Sequence, residues 1–182
     1  MRSKIKILGI AGSLRVSSFN KQLLREAVRL APENCEIEIL DISEVPLYNQ
    51  DLEDVLPTVV QALKKKIEEV DAILFVTPEY NYSIPGILKN VIDWGSRPYP
   101  DNSWNGKPVA VMGASIGGFG TVRAQMALRQ CFVFLNMKDV KQPEVFVSKA
   151  QDAFDDKGKL KDETTKAKIV ELIKALAESV KK

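Results

Sequence analysis

The sequence contains no histidine, and this absence removes several kinds of catalytic site. Serine and cysteine nucleophiles are commonly activated by a neighbouring histidine, and many zinc sites use histidine as a ligand. If the chain is an enzyme, we therefore expect a bound cofactor to carry its chemistry. We predict no metal site.

Cysteine is nearly absent as well, with only Cys35 and Cys131 in the chain. They form neither a CxxC motif nor the dense pattern of a disulfide scaffold, which favours a reducing compartment. No apolar run reaches the roughly 20 residues that a membrane helix needs, and residues 1–6 lack the apolar region of a signal peptide. We expect a cytoplasmic protein that has no membrane partner.

An excess of charge of either sign is also missing. The 26 basic and 24 acidic residues give a net charge of +2 and are spread along the chain. No basic stripe predicts nucleic-acid binding, so small molecules are the expected partners. The length of 182 residues, 45% of them apolar, suits one hydrophobic core, and we predict a single domain over residues 1–182.

Short apolar runs alternate with segments of helical periodicity. The runs lie at residues 5–10, 36–40, 72–76, 109–113 and 144–147. Nearly continuous apolar runs are typical of strands buried on both faces, and their alternation with helices predicts parallel pairing through right-handed crossovers. The sequence therefore predicts a doubly wound α/β sandwich of the flavodoxin-like type, a five-stranded parallel sheet of order 2-1-3-4-5 with helices on both faces.

Ligands in such sheets bind beyond the carboxyl ends of the strands, near the switch in strand order. Three segments follow strands one, three and four: residues 12–20, 77–86 and 113–120, called here the first, second and third loops. All three are predicted to lie at the same edge of the sheet. A ligand site is therefore expected there.

The first loop has the composition of a phosphate cradle. It supplies Ser13, Arg15, Ser18 and Asn20 and enters a helix, whose first N–H groups lack intrahelical acceptors and whose dipole favours an anion. An arginine fork matches phosphate oxygens. Alternatively, Ser17 or Ser18 could simply cap the helix while Arg15 stays solvated. The loop lacks GxxxxGK[ST] and GxGxxG, which argues against a nucleoside triphosphate held with magnesium.

The second loop predicts a rigid wall beside a planar ligand. Pro78 and Pro85 restrict its backbone, and Tyr80 and Tyr82 offer flat surface with a polar tip. The alternative is a proline-bounded turn whose tyrosines cover the core. Glu79 is a candidate general base by residue type only.

The third loop is rich in glycine and contains Ser115, Gly117 and Gly118. Glycine allows the backbone to approach a ligand closely, although tight packing of a strand against a helix requires the same residue. Farther on, residues 149–165 are polar and of mixed charge. Their acidic residues do not match the EF-hand spacing, so we predict a solvated loop that leads into the last helix.

Together these segments contain GSLRxxSxN, PEYNxSxPGxLKNxIDW and, behind a serine- and glycine-rich turn, RAQxxLRQ. From residue 5 to about 130 the chain resembles the NAD(P)H-dependent FMN reductases of flavodoxin-like fold, a family that includes quinone and chromate reductases. The third turn departs from the family pattern, which commonly has a serine, spaced glycines and a closing Gly-Gly.

The resemblance implies a set of cofactor-binding residues. The FMN phosphate and ribityl end would be held by Ser13, Arg15, Ser18 and Asn20. The isoalloxazine would be bordered, largely through backbone groups, by Pro78, Glu79, Tyr80 and Asn81, with Ser115, Gly117 and Gly118 at its far edge. No side chain is assigned as catalytic, since FMN would carry the chemistry.

The resemblance further implies an oxidoreductase that passes electrons from NADH or NADPH through FMN to a small-molecule acceptor, such as a quinone, an azo compound, chromate or free flavin. It implies a homo-dimer or homo-tetramer with the helix after the second loop at the interface. An aromatic and basic stretch is a candidate for that contact or for the mouth of the site: Trp94, Arg97, Pro98, Tyr99 and Trp104. Two other functions remain open, a flavodoxin-type electron carrier, which would generally be strongly acidic, and a flavin-binding regulatory module.

Overall fold

A computed structural model describes residues 4–181. Its strands are β1 (Ile5–Ala11), β2 (Cys35–Leu40), β3 (Ala72–Val76), β4 (Pro108–Ala114), β5 (Lys138–Asp139) and β6 (Val145–Val147). Its helices are α1 (Phe19–Leu30), α2 (Thr58–Glu69), α3 (Gly86–Gly95), α4 (Val122–Phe134), α5 (Ala150–Ala153) and α6 (Glu163–Ser179), with a 3₁₀ turn at Gln50–Leu52.

The strands form one parallel sheet in the order β2-β1-β3-β4-β5, and β6 also pairs with β4. This confirms the predicted order 2-1-3-4-5. The fifth position is shared by two short strands, since β5 pairs with the start of β4 and β6 with its end. The sequence pattern predicts only the second of them, because the charged pair Lys138 and Asp139 has no apolar periodicity.

Burial along the strands follows their position in the sheet. Every residue of β3 and β4 is buried, whereas β2, at the edge, places Cys35 and Ile37 inside and Glu36 and Glu38 outside. Successive strand residues point to opposite faces, so Ile7 and Leu8 enter different apolar clusters. One cluster packs under α1 and α6, and the other under α2, α3 and α4. Helices therefore cover both faces of the sheet.

Trp94 and Trp104 are fully buried in the cluster under α2, α3 and α4. Their indole N–H groups donate to Pro46 O at 2.8 Å and Ile92 O at 2.9 Å. The expectation that these tryptophans belong to a contact surface is wrong, because both are core residues. Tyr99, at 80% exposure, is the aromatic residue of that stretch that lies at the surface.

Residues 149–165 are more than a solvated loop. Phe154 and Leu160 form an antiparallel bridge and are buried, and Phe154 stacks on Phe19 with ring centroids 5.9 Å apart. The Leu160 N–H donates to the buried carboxylate of Glu26 at 3.1 Å. The predicted solvated loop is therefore wrong in this part, since two isolated apolar residues in a polar segment give no periodic signal. None of the helices within residues 4–181 has the length and apolar character needed to cross a membrane.

Candidate functional site

The three loops meet at the carboxyl edge of the sheet and enclose a cavity of about 210 Å³. Most of the predicted site residues line it: Ser13, Arg15, Ser18, Asn20, Pro78, Glu79, Tyr80 and Ser115. Phe19, Ala114 and Ile116 complete the lining. Asn81, Gly117 and Gly118 do not line this cavity, although they lie in the same loops.

The first loop leaves the sheet tightly packed. The Gly12 N–H donates to Val76 O at 2.9 Å, and a Cβ at Gly12 would lie 3.0 Å from the Leu88 side chain. Ser13 and Ser18 are each 3% exposed. Ser18 Oγ accepts from the Lys21 N–H at 3.3 Å, so Ser18 is the N-cap of α1. A hydroxyl that accepts this bond can still donate its own proton to a ligand.

Asn20 holds the first and third loops together. Its amide oxygen accepts from the Ala114 N–H at 2.9 Å, and its amide nitrogen donates to Ala114 O at 2.8 Å. The side chain is buried and joins the start of α1 to the end of β4. This contact accounts for the position of Asn20 without any ligand.

The donors of the first loop suit a phosphate monoester. Residues 12–20 contain no acidic side chain. Arg15 is exposed, with its Nη2 3.5 Å from Ser17 Oγ, and is therefore available to an anion. Neutral hydroxyls, a helix N-terminus and one guanidinium together bind an anion without a metal ion. Across residues 4–181 no group of His, Cys, Asp and Glu side chains is placed to hold a metal ion.

The second loop contains a two-residue hairpin turn. Tyr80 and Ser83 exchange two backbone hydrogen bonds of 3.0 Å each. Asn81 and Tyr82 between them have φ of 50° and 67°. Asparagine tolerates this left-handed conformation, whereas for tyrosine it costs about 1–2 kcal/mol. Tyr80 and Tyr82 are 48% and 70% exposed, so the alternative in which they cover the core is wrong.

The Glu79 carboxylate caps α4 from outside that helix. Its Oε2 accepts from the N–H groups of Arg123 at 3.0 Å and Ala124 at 3.3 Å, and its Oε1 accepts from Arg123 Nη1 at 2.6 Å. Thr121, at the N-cap position, makes no side-chain capping bond. A carboxylate held by three donors is poorly placed to take a proton from substrate, which argues against a role as general base.

Sequence reasoning missed Arg123, which packs against the second and third loops. Its guanidinium carbon lies 3.9 Å from the ring centroid of Tyr82 and 4.8 Å from that of Phe119. Such distances are typical of cation–π contacts. The motif RAQxxLRQ contains this arginine, but nothing local in the sequence indicates its partners.

The third loop is shaped by Ser115 and by Gly113, the next-to-last residue of β4. Ser115 Oγ accepts from the Gly117 N–H at 3.0 Å. A Cβ at Gly113 would lie 1.9 Å from Thr121 Oγ1 and 2.3 Å from Thr77 O, so only glycine fits there. Around Gly118 a Cβ would meet nothing within 4 Å. Packing therefore explains why glycine occupies position 113, but it does not explain the glycine at position 118.

A larger concavity of about 730 Å³ lies elsewhere, between α3 and α4. Its lining includes Lys89 and Asp93, which pair with each other, and Phe134, which is 85% exposed. Cys131 also lines it, and burial raises the pKa of its thiol, which keeps the thiol protonated and weakly reactive. We place the functional site at the smaller cavity, because the polar donors of three loops converge there.

The family model described as NADPH-dependent FMN reductase matches residues 5–152. The chain is 49% identical over 177 residues to the NAD(P)H-dependent FMN reductase PA1204 of Pseudomonas aeruginosa, covering 97% of this chain and 95% of that protein. It is 45% identical over 156 residues to a quinone reductase of Pseudomonas putida, covering 85% and 84%. Its fold matches the structure of FerB, a flavoenzyme NAD(P)H:(acceptor) oxidoreductase from Paracoccus denitrificans, with a TM-score of 0.90, 37% identity and 97% of each chain covered.

Proposed function

The chain belongs to the NADPH-dependent FMN reductase family, and from this premise we propose that it transfers electrons from NADH or NADPH through bound FMN to a quinone. It is an oxidoreductase whose cofactors are FMN and NAD(P)H. One observation supports the site above all others. The buried hydroxyls of Ser13 and Ser18 converge with Arg15 on the N-terminus of α1 at the edge of the sheet.

These residues suit the phosphate end of FMN. Ser13 and Ser18 would donate hydroxyl protons, the first turn of α1 would present N–H groups, and Arg15 would supply positive charge. The cavity of about 210 Å³ is smaller than the roughly 300–1,000 Å³ of typical ligand pockets. We therefore propose that the flat part of the ligand extends toward Tyr80 and Ile116, which are 48% and 68% exposed.

When bound, FMN supplies the redox chemistry, and the protein binds, orients and shields it. The second loop presents Pro78 and the Tyr80 ring at the cavity, while the Glu79 carboxylate is occupied by α4. Ser115 of the third loop also lines the cavity. Asn20 of the first loop is bonded to Ala114 of the third loop and so fixes these two loops relative to each other. We propose that no side chain of this protein acts as a catalytic acid or base.

We favour quinones as acceptors for two reasons. The relative from Pseudomonas putida is named a quinone reductase, and Tyr80 and Ile116, which line the cavity, are exposed and largely apolar. A planar apolar acceptor would gain contact with Tyr80 and Ile116. Azo compounds, chromate and free flavin are further acceptors that we expect an open flavin face to reach. Steady-state rates with each acceptor class, measured with NADH and with NADPH, would rank them.

The central test is anaerobic. Purified protein saturated with FMN should lose its yellow colour when NADH or NADPH is added and regain it when a quinone follows. Protein that takes up no FMN would refute the proposal. FMN uptake without bleaching by either nicotinamide would favour an electron carrier, and FMN uptake without turnover but with a stable protein complex would favour a regulatory module.

We also propose that the chain forms a homo-dimer or homo-tetramer through the face between α3 and α4. That face contains the concavity of about 730 Å³ and the exposed side chain of Phe134. Exposed apolar surface of this kind commonly marks an interface. Light scattering should show more than one copy per particle, and Phe134→Glu should shift the protein toward monomer. A wild-type monomer would refute the assembly.

Two coarser expectations complete the proposal. We propose a single domain over residues 1–182, since both apolar clusters pack on the same sheet. One cooperative urea transition followed by two independent probes would support it, and separate transitions would contradict it. We propose a cytoplasmic location, which cell fractionation tests directly.

A further inference from the structure

The side chain of Arg123 links two of the three loops from outside the cavity. It projects from the first turn of α4 and binds the Glu79 carboxylate at 2.6 Å. The same guanidinium lies against Tyr82 of the second loop and Phe119 of the third, at 3.9 and 4.8 Å. One planar cation therefore contacts both the second and the third loop.

Burial does not explain why the two rings lie there. Tyr82 is 70% exposed and Phe119 is 68% exposed, so neither gains much from the hydrophobic effect. The backbone of Tyr82 is also left-handed, which tyrosine disfavours. Strained conformations of this kind persist where the surroundings impose them, and they cluster at ligand sites. The contact with Arg123 supplies such a constraint.

We propose that Arg123 is a positioning residue for the flavin site, which sets the second and third loops at a fixed separation through Glu79, Tyr82 and Phe119. The proposal rests on the proposed function, because it concerns the width of the FMN-binding cavity. Arg123 does not line that cavity, so it acts through residues that do, namely Glu79 directly and Tyr80 through the turn that contains Tyr82. Lysine would supply the charge but neither the fork nor the stacking plane.

The test compares Arg123→Met with the matched control Arg129→Met. Arg129 also lies in α4 and pairs with a carboxylate, that of Asp139, but Asp139 does not line the cavity, whereas Glu79, the partner of Arg123, does. Both substitutions remove a guanidinium from an ion pair and keep an apolar stem. Arg123→Lys separates the effect of charge from that of the planar fork.

The first measurement needs no cofactor. Hydrogen exchange of the Tyr80 and Ser83 amides, which close the hairpin turn, should accelerate in Arg123→Met and not in Arg129→Met. The second uses the FMN-loaded protein. The FMN dissociation constant should rise about five- to twentyfold in Arg123→Met, and the visible circular dichroism at saturating FMN should change shape. Arg123→Lys should restore neither the exchange rates nor the spectrum to wild-type values.

Equal effects of Arg123→Met and Arg129→Met on exchange and on FMN binding would overturn the proposal. If Arg123→Met fails to fold, Phe119→Leu replaces it, since that change removes one ring and keeps the ion pair. Unchanged exchange and FMN affinity in Phe119→Leu would then overturn it. A wild-type protein that binds no FMN refutes the proposed function instead, and that result appears in the wild-type sample before any variant is compared.

Discussion

Replacing Asn20 by leucine, which has nearly the same shape, should destabilise the protein more than it alters its chemistry. The change removes both hydrogen bonds to Ala114, at 2.8 and 2.9 Å. Ala114 is 2% exposed, so its N–H and carbonyl would be left buried without these partners. At about 1–3 kcal/mol for each unpaired group, we expect a loss of about 2–6 kcal/mol in the free energy of unfolding.

The structure offers a matched control on α3. Asn90 is 6% exposed and makes the same pair of bonds, accepting from the Tyr48 N–H at 2.7 Å and donating to Pro46 O at 2.8 Å. Urea unfolding of Asn90→Leu should give a smaller loss of about 1–3 kcal/mol, because Pro46 O keeps its bond from the Trp94 indole and only the Tyr48 N–H loses its partner. FMN titration should show weaker binding only in Asn20→Leu, because only that pair joins two loops of the cavity.

If Asn20→Leu loses less than about 1 kcal/mol of stability but binds FMN more than tenfold more weakly, then Asn20 is a ligand of the cofactor and not a support for the loops. The resemblance to flavin reductases assigns it the first role, whereas the contacts with Ala114 favour the second.

Arg15→Ala should weaken FMN binding by about 1.5–3 kcal/mol, the value of a hydrogen bond to a charged group, and unchanged affinity in a fluorescence titration would place the phosphate elsewhere. Glu79→Gln should lower the free energy of unfolding in urea by about 1–2 kcal/mol through the weakened cap of α4 and change kcat less than tenfold, whereas a loss of several orders of magnitude would make Glu79 catalytic. Hydrogen bonds from the Thr165 hydroxyl and N–H lower the pKa of Asp162 at the start of α6. Because this pKa is lower in the folded than in the unfolded chain, its contribution to stability is present above about pH 4 and is lost as the pH falls through the folded value. In Asp162→Asn the free energy of unfolding should therefore fall less steeply with decreasing pH in the acid range. An unfolding free energy with the same pH dependence as that of the wild type would contradict this assignment.

The sheet order and the meeting of the three loops at one edge could be predicted from the sequence because both depend on local signals. Continuous apolar runs mark the buried strands, and the chain order of strands and helices restricts their arrangement. The same argument placed the three loops together. The composition of the first loop by itself indicates an anion site.

The remaining features depend on pairs that lie far apart in the chain. Glu79 and Arg123 are 44 residues apart, so nothing in either neighbourhood indicates that the carboxylate caps a distant helix. The split edge strand and the burial of Phe154 and Leu160 escape prediction for a related reason, since each involves too few residues to show a period. Likewise, the left-handed backbone of Tyr82 goes against the intrinsic preference of that residue type.

The tie between Asn20 and Ala114 spans 94 positions of the chain and has a consequence for protein synthesis. The first loop is made early, but it cannot reach its final shape until β4 has left the ribosome and joined the sheet. The cavity that the loops enclose is therefore completed only after the central strands have assembled. A cofactor that binds in this cavity would stabilise the finished fold and would not act as a template for its first half.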